Sequence, residues 1–289
     1  MARLYKRRFE LRVGDSGEYL SVADGDVNLR VFFSIEHKYN GHQSMAEITI
    51  FNLNRDSEQK IFEKYRSVTL QAGYPELFGP IFAGQIINVQ RGREYTERSV
   101  KLFCRSGGEQ VATTTVNRSF AKGTPMRDVI SHCAGALGLP VEMIGEWGDL
   151  PEAMGGYVLS GDAKAKLADL ADGHGFTWVI ENEALLLIRG EASREGETYL
   201  LRADTGMIGS PEVTEFGIEV DCALNPVVGI GRRIRIESVA PQFTFSGVYW
   251  RNIPATIGVG EYTVNAVRHQ GDTHSDLWRS RFSCWRAAA

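Results

Sequence analysis

The first and last thirds of this chain repeat one order of events, and that echo constrains the fold more than any other feature. An alternating apolar strand ends in Leu53-Asn54 in the first third and in Leu224-Asn225 in the last. A short strand follows each, Val68-Thr69-Leu70 and Ile234-Arg235-Ile236. Then come Phe82-Ala83-Gly84 and Phe245-Ser246-Gly247. Each third closes on a long hairpin whose last strand carries Cys104-Arg105 or Cys284-Trp285-Arg286. No single match is specific. Their common order implies two copies of one β unit within one chain.

Local patterning supports this reading. Leu29, Val31, Phe33 and Ile35 alternate with other residues, as do Ala46, Ile48 and Ile50, which is the period of half-buried strands. Asp56 is expected to cap a short helix, with Gln59 at the capping-box position and Ile61, Phe62 and Tyr65 facing inward. A loop is expected from Pro75 to Pro80. Phe82, Gly84 and Ile86 then return through Val100, Leu102 and Cys104 around Arg91-Gly92-Arg93. In the last third, Ile218, Val220, Cys222 and Leu224 alternate. Tyr262, Val264 and Ala266 are expected to pair with Trp278, Ser280, Phe282 and Cys284 around Gly271-Asp272-Thr273. Short strands at this spacing suggest barrels.

Composition shifts near Ser106-Gly107-Gly108. Thr124 is expected to cap a helix with Pro125 at its first position and Met126, Val129, Ile130, Cys133 and Leu137 on one face. A second helix starts at Asp162, buries Ala163, Leu167, Leu170 and Ala171, and ends at Gly173 and Gly175. A hairpin follows, Phe176 to Ile180 returning through Asn182-Glu183 to Leu185–Ile188. The fold class is therefore mainly β with a small α/β insert: two related tube-like β-barrels, residues 1–106 and 197–289, flanking an α+β domain at 107–196.

Composition narrows function. A formal net charge of −4 over 289 residues argues against a general nucleic-acid binder. The basic run Lys6-Arg7-Arg8 reads as a solvated edge strand protected by charge. No apolar run approaches the about 20 residues of a membrane span, and the start lacks a secretory h-region, so folding in a cytoplasm is expected. Cys104, Cys133, Cys222 and Cys284 form no C-x-x-C pair and read as buried free thiols.

Candidate chemistry is thin. His269, Asp272, His274 and Asp276 lie close enough in sequence to suggest a divalent ion, but the segment reads as a hairpin turn. Gly229-Ile230-Gly231 lacks the strand-turn-helix context of a dinucleotide loop and reads as a β-turn. Ser160 has no nucleophile elbow. Glu142 with Glu146, and Asp169 with Asp172, could be drawn as glycosidase pairs, yet nothing fixes their separation, and Asp169 and Asp172 read as the wet face of a helix. Trp178 reads as core. Trp147, Trp250, Trp278 and Trp285 remain candidates for platforms, and Trp250 beside Tyr249 is the interface candidate.

The run Thr205-Gly206-Met207-Ile208-Gly209-Ser210-Pro211, continuing to Gly217–Val220 and Leu224-Asn225-Pro226, resembles a motif of baseplate hub proteins from contractile-tailed phages. Tyr262-Thr263-Val264, Val267, His269, Gly271-Asp272-Thr273 and Trp278 resemble the closing hairpin of that family. Leu167–Ala171 with Gly175, Phe176, Trp178 and Leu185, and Ile50–Leu53 with Val68–Leu70, Ala72–Tyr74 and Ile81–Gly84, fit it too. The pattern is similar to hubs of Mu-like myophages, shorter cousins of the T4 hub. The resemblance implies a non-enzymatic homotrimer with six barrels in a quasi-sixfold ring, joining a hexameric tail tube to a trimeric central spike. It implies wedge proteins of the baseplate and a tape measure protein as further partners, and DNA passing through a polar or acidic channel without specific binding. It implies no cofactor, metal or membrane anchor, and a place in the virion tail baseplate. The implied structural motif residues are Gly206, Gly209, Pro211, Leu224, Asn225, Pro226, His269, Gly271 and Asp272. A tail-associated cell-wall hydrolase or effector, or the hub of a pyocin-like machine, is the alternative.

Overall fold

The computed structural model describes residues 4, 6–15, 17–23, 29–39, 43–94, 96–214, 217–238, 242–243 and 259–286. The first half comprises β1 (Arg8–Asp15), β2 (Glu18–Ala23), β3 (Val31–Lys38), β4 (Met45–Phe51), α1 (Arg55–Glu63), β5 (Ser67–Tyr74), β6 (Leu77–Glu94) and β7 (Glu97–Arg105). The insert holds α2 (Gly108–Thr113), β8 (Thr115–Phe120), α3 (Met126–Ala136), β9 (Val141–Ile144), β10 (Tyr157–Asp162), α4 (Ala163–His174), β11 (Phe176–Glu181) and β12 (Ala184–Arg189). The last half comprises β13 (Tyr199–Leu201), a short 3-10 turn, β14 (Met207–Thr214), β15 (Gly217–Ala223), β16 (Arg233–Glu237), β17 (Gln242–Phe243), β18 (Val259–Asp272) and β19 (Trp278–Arg286).

Both halves use one strand order. The first runs β3-β4-β7-β6-β5 and the last β14-β15-β19-β18-β16. The registers match around the closing hairpin of each half. Cys104 sits between Ala46 and Ile86, and Cys284 between Ile218 and Val264. Each hairpin then carries a bulge at the same step, Ile87 in β6 and Asn265 in β18. Val68 faces Gly84 where Ile234 faces Tyr262. A bulge adds one residue to one strand and flips the inward parity beyond it. Repeating it at the same ladder position in both halves is a strong mark of duplication.

The bulge also corrects the expected pairing. Ala266 is half-buried and faces outward; Val267, His269 and Gly271 take the inward positions. Opposite Ile234–Ile236 the ladder places Gly260-Glu261-Tyr262 rather than Phe245-Ser246-Gly247, which lie outside the described residues. The turns move as well. β6 and β7 pair out to Glu94 and Glu97, beyond Arg91-Gly92-Arg93, and β18 and β19 turn at residues 273–277. The loop expected at Pro75–Pro80 is a tight turn, because Leu77 already pairs with Tyr74. β1 lies between β2 and β5 from Glu10 onward, and Arg8 pairs only with Gly73 of β5.

Three cores follow. Leu11, Phe33, Ile35, Ile48, Ile50, Leu70, Phe82 and Leu102 anchor the first half, and Ile218, Val220, Ile234, Val264 and Phe282 the last. In the insert, Met126, Val129, Ile130 and Cys133 of α3 meet Ala163, Leu167 and Leu170 of α4 and Trp178 of β11. The caps differ from expectation in two places. Asn54, not Asp56, accepts from the Ser57 N–H at 2.7 Å to cap α1, and Thr124 donates to the Ala121 carbonyl instead of capping α3. Asp162 caps α4 as expected, accepting from the Ala165 N–H at 2.7 Å. Asn182 and Glu183 make the tight turn at φ 50° and 62°.

Candidate functional site at the joint between the two halves

β18 is long enough to serve two sheets. Val259–Thr263 pairs with β16; beyond the bulge, Ala266–Asp272 pairs antiparallel with Lys38–Phe32 of β3. The halves thereby share one hydrogen-bonded sheet. Leu224 and Trp278, both from the last half, pack into the first core. The joint is therefore continuous in backbone hydrogen bonding and sealed by apolar contact.

Polar groups at its centre are buried and hydrogen-bonded to one another. His37 and His269 lie edge to face with ring centroids 5.7 Å apart. The His37 ring meets the Ile81 carbonyl at 2.9 Å and Ser44 Oγ at 2.7 Å; His269 Nδ1 meets Ser280 Oγ at 2.8 Å. Ser280 Oγ already accepts from the Asn225 N–H at 2.9 Å, so its proton is available to His269 Nδ1. A neutral His37 donates from Nε2 to the Ile81 carbonyl, and its Nδ1 then competes with the Ile180 carbonyl for the single proton of the Ser44 hydroxyl. Burial pushes both imidazoles below their ordinary value; for His37 the charges of Glu181 and Glu36 oppose this in part, and for His269 the neighbouring His37 adds to it.

The insert closes the same junction. The Ser44 N–H and hydroxyl both reach the Ile180 carbonyl, at 3.0 and 2.7 Å. The Asn182 side chain accepts from the Ala83 N–H at 3.1 Å and Glu183 from the Gly107 N–H at 2.8 Å. Buried Glu181 accepts from the Ile230 N–H at 3.2 Å and from Arg194 at 3.3 Å. Gly229-Ile230-Gly231 is thus a turn held against the insert, with the Arg232 N–H donating to the Gly229 carbonyl.

Six of the expected motif residues converge here. His269 fills the joint, Asn225 donates its N–H to the Ser280 hydroxyl that His269 meets, Leu224 packs into the first core, and Pro226 lies where a Cβ on Gly79 of the first half would meet it at 3.5 Å. Gly271 is required by space: a Cβ there would fall 2.3 Å from Phe33 and 2.8 Å from Trp278. Asp272 takes Arg30 through Nε and Nη2 and accepts from the His274 N–H at 2.9 Å. Burial pushes the Asp272 carboxyl up, but Arg30 and the His274 N–H outweigh it and hold it below the usual carboxylate range. The other three do not join the cluster. Gly206 closes the 3-10 turn at φ 106°, and Gly209 and Pro211 lie along the irregular part of β14. Tyr249 and Trp250 lie outside the described residues.

The metal-like segment does not converge. His269 points into the joint, Asp272 is held by Arg30, and exposed Asp276 pairs with Arg7. Among the described residues no group of three His, Cys, Asp or Glu could hold a metal ion. Glu142 is bound by Arg194 and Asp169 by Lys166. Burial raises the four thiols, Cys104 to about 12 and Cys133 to about 11. Trp178 and Trp147 are core, and Trp285 stacks edge-on against Tyr39 at 4.9 Å. His37, Ser44, Ser280 and Arg30 were missed by sequence reasoning. His37 carried a signal, since it occupies the core parity of Val31, Phe33 and Ile35 and so had to be a buried polar residue.

The family described as baseplate hub gp41 matches residues 11–242. No curated protein matches the chain in sequence. Among solved structures, the 43 kDa tail protein of prophage MuSo2 from Shewanella oneidensis is similar at TM-score 0.60 and 10% identity, over 96% of this chain and 98% of that one. A tail protein from Neisseria meningitidis MC58 gives TM-score 0.58 and 10% identity, over 98% and 97%. The Escherichia coli c3393 protein, a type VI secretion component described as similar to T4 tail proteins gp27 and gp5, gives TM-score 0.59 and 9% identity, over 96% and 77%. At such identities the likeness is one of fold.

Proposed function

The chain belongs to the baseplate hub gp41 family, and from that premise we propose a non-catalytic hub, three copies of which close into a quasi-sixfold ring between a sixfold tail tube and a threefold spike. One observation carries this reading: two units of identical strand order are already joined side by side within the chain, through β3 and β18. Repetition of one contact around an axis closes a ring when its rotation divides the circle. A doubled chain then supplies two positions per copy, so a threefold assembly presents six. On this reading residues 1–106 and 197–289 form the ring and 107–196 is an outward insert that meets further baseplate proteins.

The same sheet suggests a channel wall. Across β14-β15-β19-β18-β3-β4-β7-β6 the outward residues form one polar face, and one row reads Asp221, Arg281, Arg268, Glu36, Met45, Arg105. Acid and base are interleaved and in part paired: Arg281 holds Asp221 at 2.8 Å and Lys101 holds Glu47 at 2.6 Å. Paired cations offer little to a phosphate backbone, whose binding depends on displacing counterions with free positive charge. A polar wall with part of its charge paired serves DNA passage in the way of the polar or acidic channel expected above. The tube, spike, wedge and tape measure contacts belong to the rims and the insert.

Light scattering at micromolar protein tests the ring. The expected mass is three times 32.1 kDa, with an interface above the roughly 1,000 Å² that a stable contact requires. A persistent monomer that also fails to bind tube or spike proteins refutes the proposal.

A further inference from the structure

The turn between β11 and β12 aims four consecutive acceptors at backbone N–H groups outside its own sheet. The Ile180 carbonyl takes Ser44, the Glu181 carboxylate Ile230, the Asn182 side chain Ala83, and the Glu183 carboxylate Gly107. Ser44 and Ala83 belong to the first half, Ile230 to the last, and Gly107 to the point where the chain enters the insert. One turn thus fastens the insert to both halves. Val179, Leu186 and Ile188 close over Ile230 behind it, with Tyr39 alongside. Arg194, tied by its N–H to the Gly231 carbonyl, adds ion pairs to Glu142 and Glu181.

Three local costs are built into this contact. Glu183 holds φ 62°, in the left-handed region, at the position where a two-residue hairpin turn favours glycine. Ser44 has one hydroxyl proton for two acceptors, His37 Nδ1 and the Ile180 carbonyl, each at 2.7 Å. A cavity of about 100 Å³ lies between Gly190–Ala192 of the insert's exit and Tyr39, Thr263 and Trp285 of the halves. The buried Thr263 hydroxyl there has no hydrogen-bond partner among the described residues. Withdrawing the turn relieves all three: the Ser44 proton goes to His37 alone, water reaches Thr263, and the Glu183 backbone relaxes. Neither the ladder of β3 with β18 nor the core between α3, α4 and Trp178 depends on the turn.

We infer that the insert is a releasable domain: the β11–β12 turn is its latch, and it swings away as a folded unit while the two halves stay joined. The pivots are Gly107 and Gly190, at φ 74° and 59°, where the chain enters and leaves the insert. Just outside them, Ser106 is tied to Ser44 and Ala83, and Ser193 and Glu195 to Arg233 and Arg232. Release uncovers Val179, Leu186 and Ile188, so the open state is the minor one, and a partner bound to the insert draws on it. The inference goes beyond the ring reading and holds whether or not copies close into a ring.

Amide hydrogen exchange of the full chain, resolved to single residues, tests the latch. Ser44, Ala83, Gly107 and Ile230 are expected to share one protection factor, lower than those of the β3–β18 ladder and of the interiors of α3 and α4. Glu183→Gly removes an acceptor yet gives the turn its favoured Asn-Gly pair. As a latch variant it should lower protection at all four amides about tenfold, whereas a purely local role for the turn predicts protection unchanged or raised. Glu183→Gln keeps an acceptor and should stay close to the wild type. Thr263→Val removes the unpaired hydroxyl at nearly constant shape and should raise protection at all four about tenfold. Unrelated protection factors at the four amides, their opening only together with the ladder, an effect of Glu183→Gly confined to Gly107, or no gain in Thr263→Val overturns the inference.

Discussion

Acidification is expected to loosen the molecule at the joint between its halves, through His37 and His269. Both rings are buried, and burial pushes both below their ordinary value. In the unfolded chain each titrates near about 6.5. Above that pH neither state binds the proton, and the joint has its full stability. Below it, the unfolded chain takes up protons that the fold refuses, so stability falls as pH falls. One unit down, at pH 5.5, a ring that stays wholly neutral in the fold costs about 1.4 kcal/mol, which is the ceiling for each histidine, and His37, whose shift is opposed by Glu181, the Ile81 carbonyl and Glu36, costs less than His269. One such loss is an appreciable part of the about 5–15 kcal/mol typical of a domain. Protonation also reverses a contact, because Nδ1 of His269 would then donate to the Ser280 hydroxyl and leave that hydroxyl's own proton to find another acceptor. Urea unfolding at pH 7.5, 6.5 and 5.5, at constant ionic strength, measures this in the wild type and in His37→Gln/His269→Gln. The wild-type midpoint should drop mainly between pH 6.5 and 5.5, and the variant should be flatter. A wild-type midpoint unchanged from pH 7.5 to 5.5, or a variant that falls as steeply, refutes the reasoning. Asp272 acts in a separate window: held below the ordinary carboxylate range, it contributes stability that is lost only as pH falls below about 4.

Further outcomes follow from single contacts. Asp272→Ala strips Arg30 of a bidentate partner, and because Arg30 is 37% exposed the cost should be about 1–2 kcal/mol rather than that of a fully buried pair, read as a lower denaturation midpoint. Gly271→Ala drives a methyl into Phe33 and Trp278 and should cost about 1–3 kcal/mol, with a changed near-UV signal from Trp278. Asn54→Ala should cost about 1 kcal/mol by removing the α1 cap, whereas Asp56→Ala should cost less by thermal melting.

Much of this was legible in the sequence because period and punctuation act locally. Val31, Phe33 and Ile35 declare a strand, and Asp162 with Gly175 brackets a helix, whatever the rest of the chain does. The echo of Val68–Leu70 in Ile234–Ile236 carried the duplication, and the ladders place those residues at matching positions. What stayed hidden depends on pairing at a distance. Nothing local marks Asn265 as a bulge, so the alternation Tyr262, Val264, Ala266 ran one residue past its valid range. The echo of Phe82–Gly84 was sought in consecutive apolar residues, whereas strand pairing put Gly260–Tyr262 in that position. The joint itself, with Arg30, His37, Ser44 and Ser280 meeting Asp272 and His269, exists only because β3 and β18 are neighbours. A single sequence gives no reason to connect strands more than two hundred residues apart. His37 alone offered a hint, as a polar side chain in an apolar register.

The pairing of β3 with β18 has a consequence for how the molecule is born. At ribosomal speeds of roughly 5–20 residues per second, β3 emerges roughly ten to fifty seconds before its partner. During that interval the nascent first half has every other strand it needs, yet presents a bare rim with His37 beside it and the Trp278 slot in its core unfilled. Such a rim invites pairing with neighbouring nascent chains on the same message. Synthesis without trigger-factor-like protection, or truncation before Trp278, should therefore send the protein to aggregates rather than to a soluble half, and co-translational chaperoning becomes a requirement of the duplicated design.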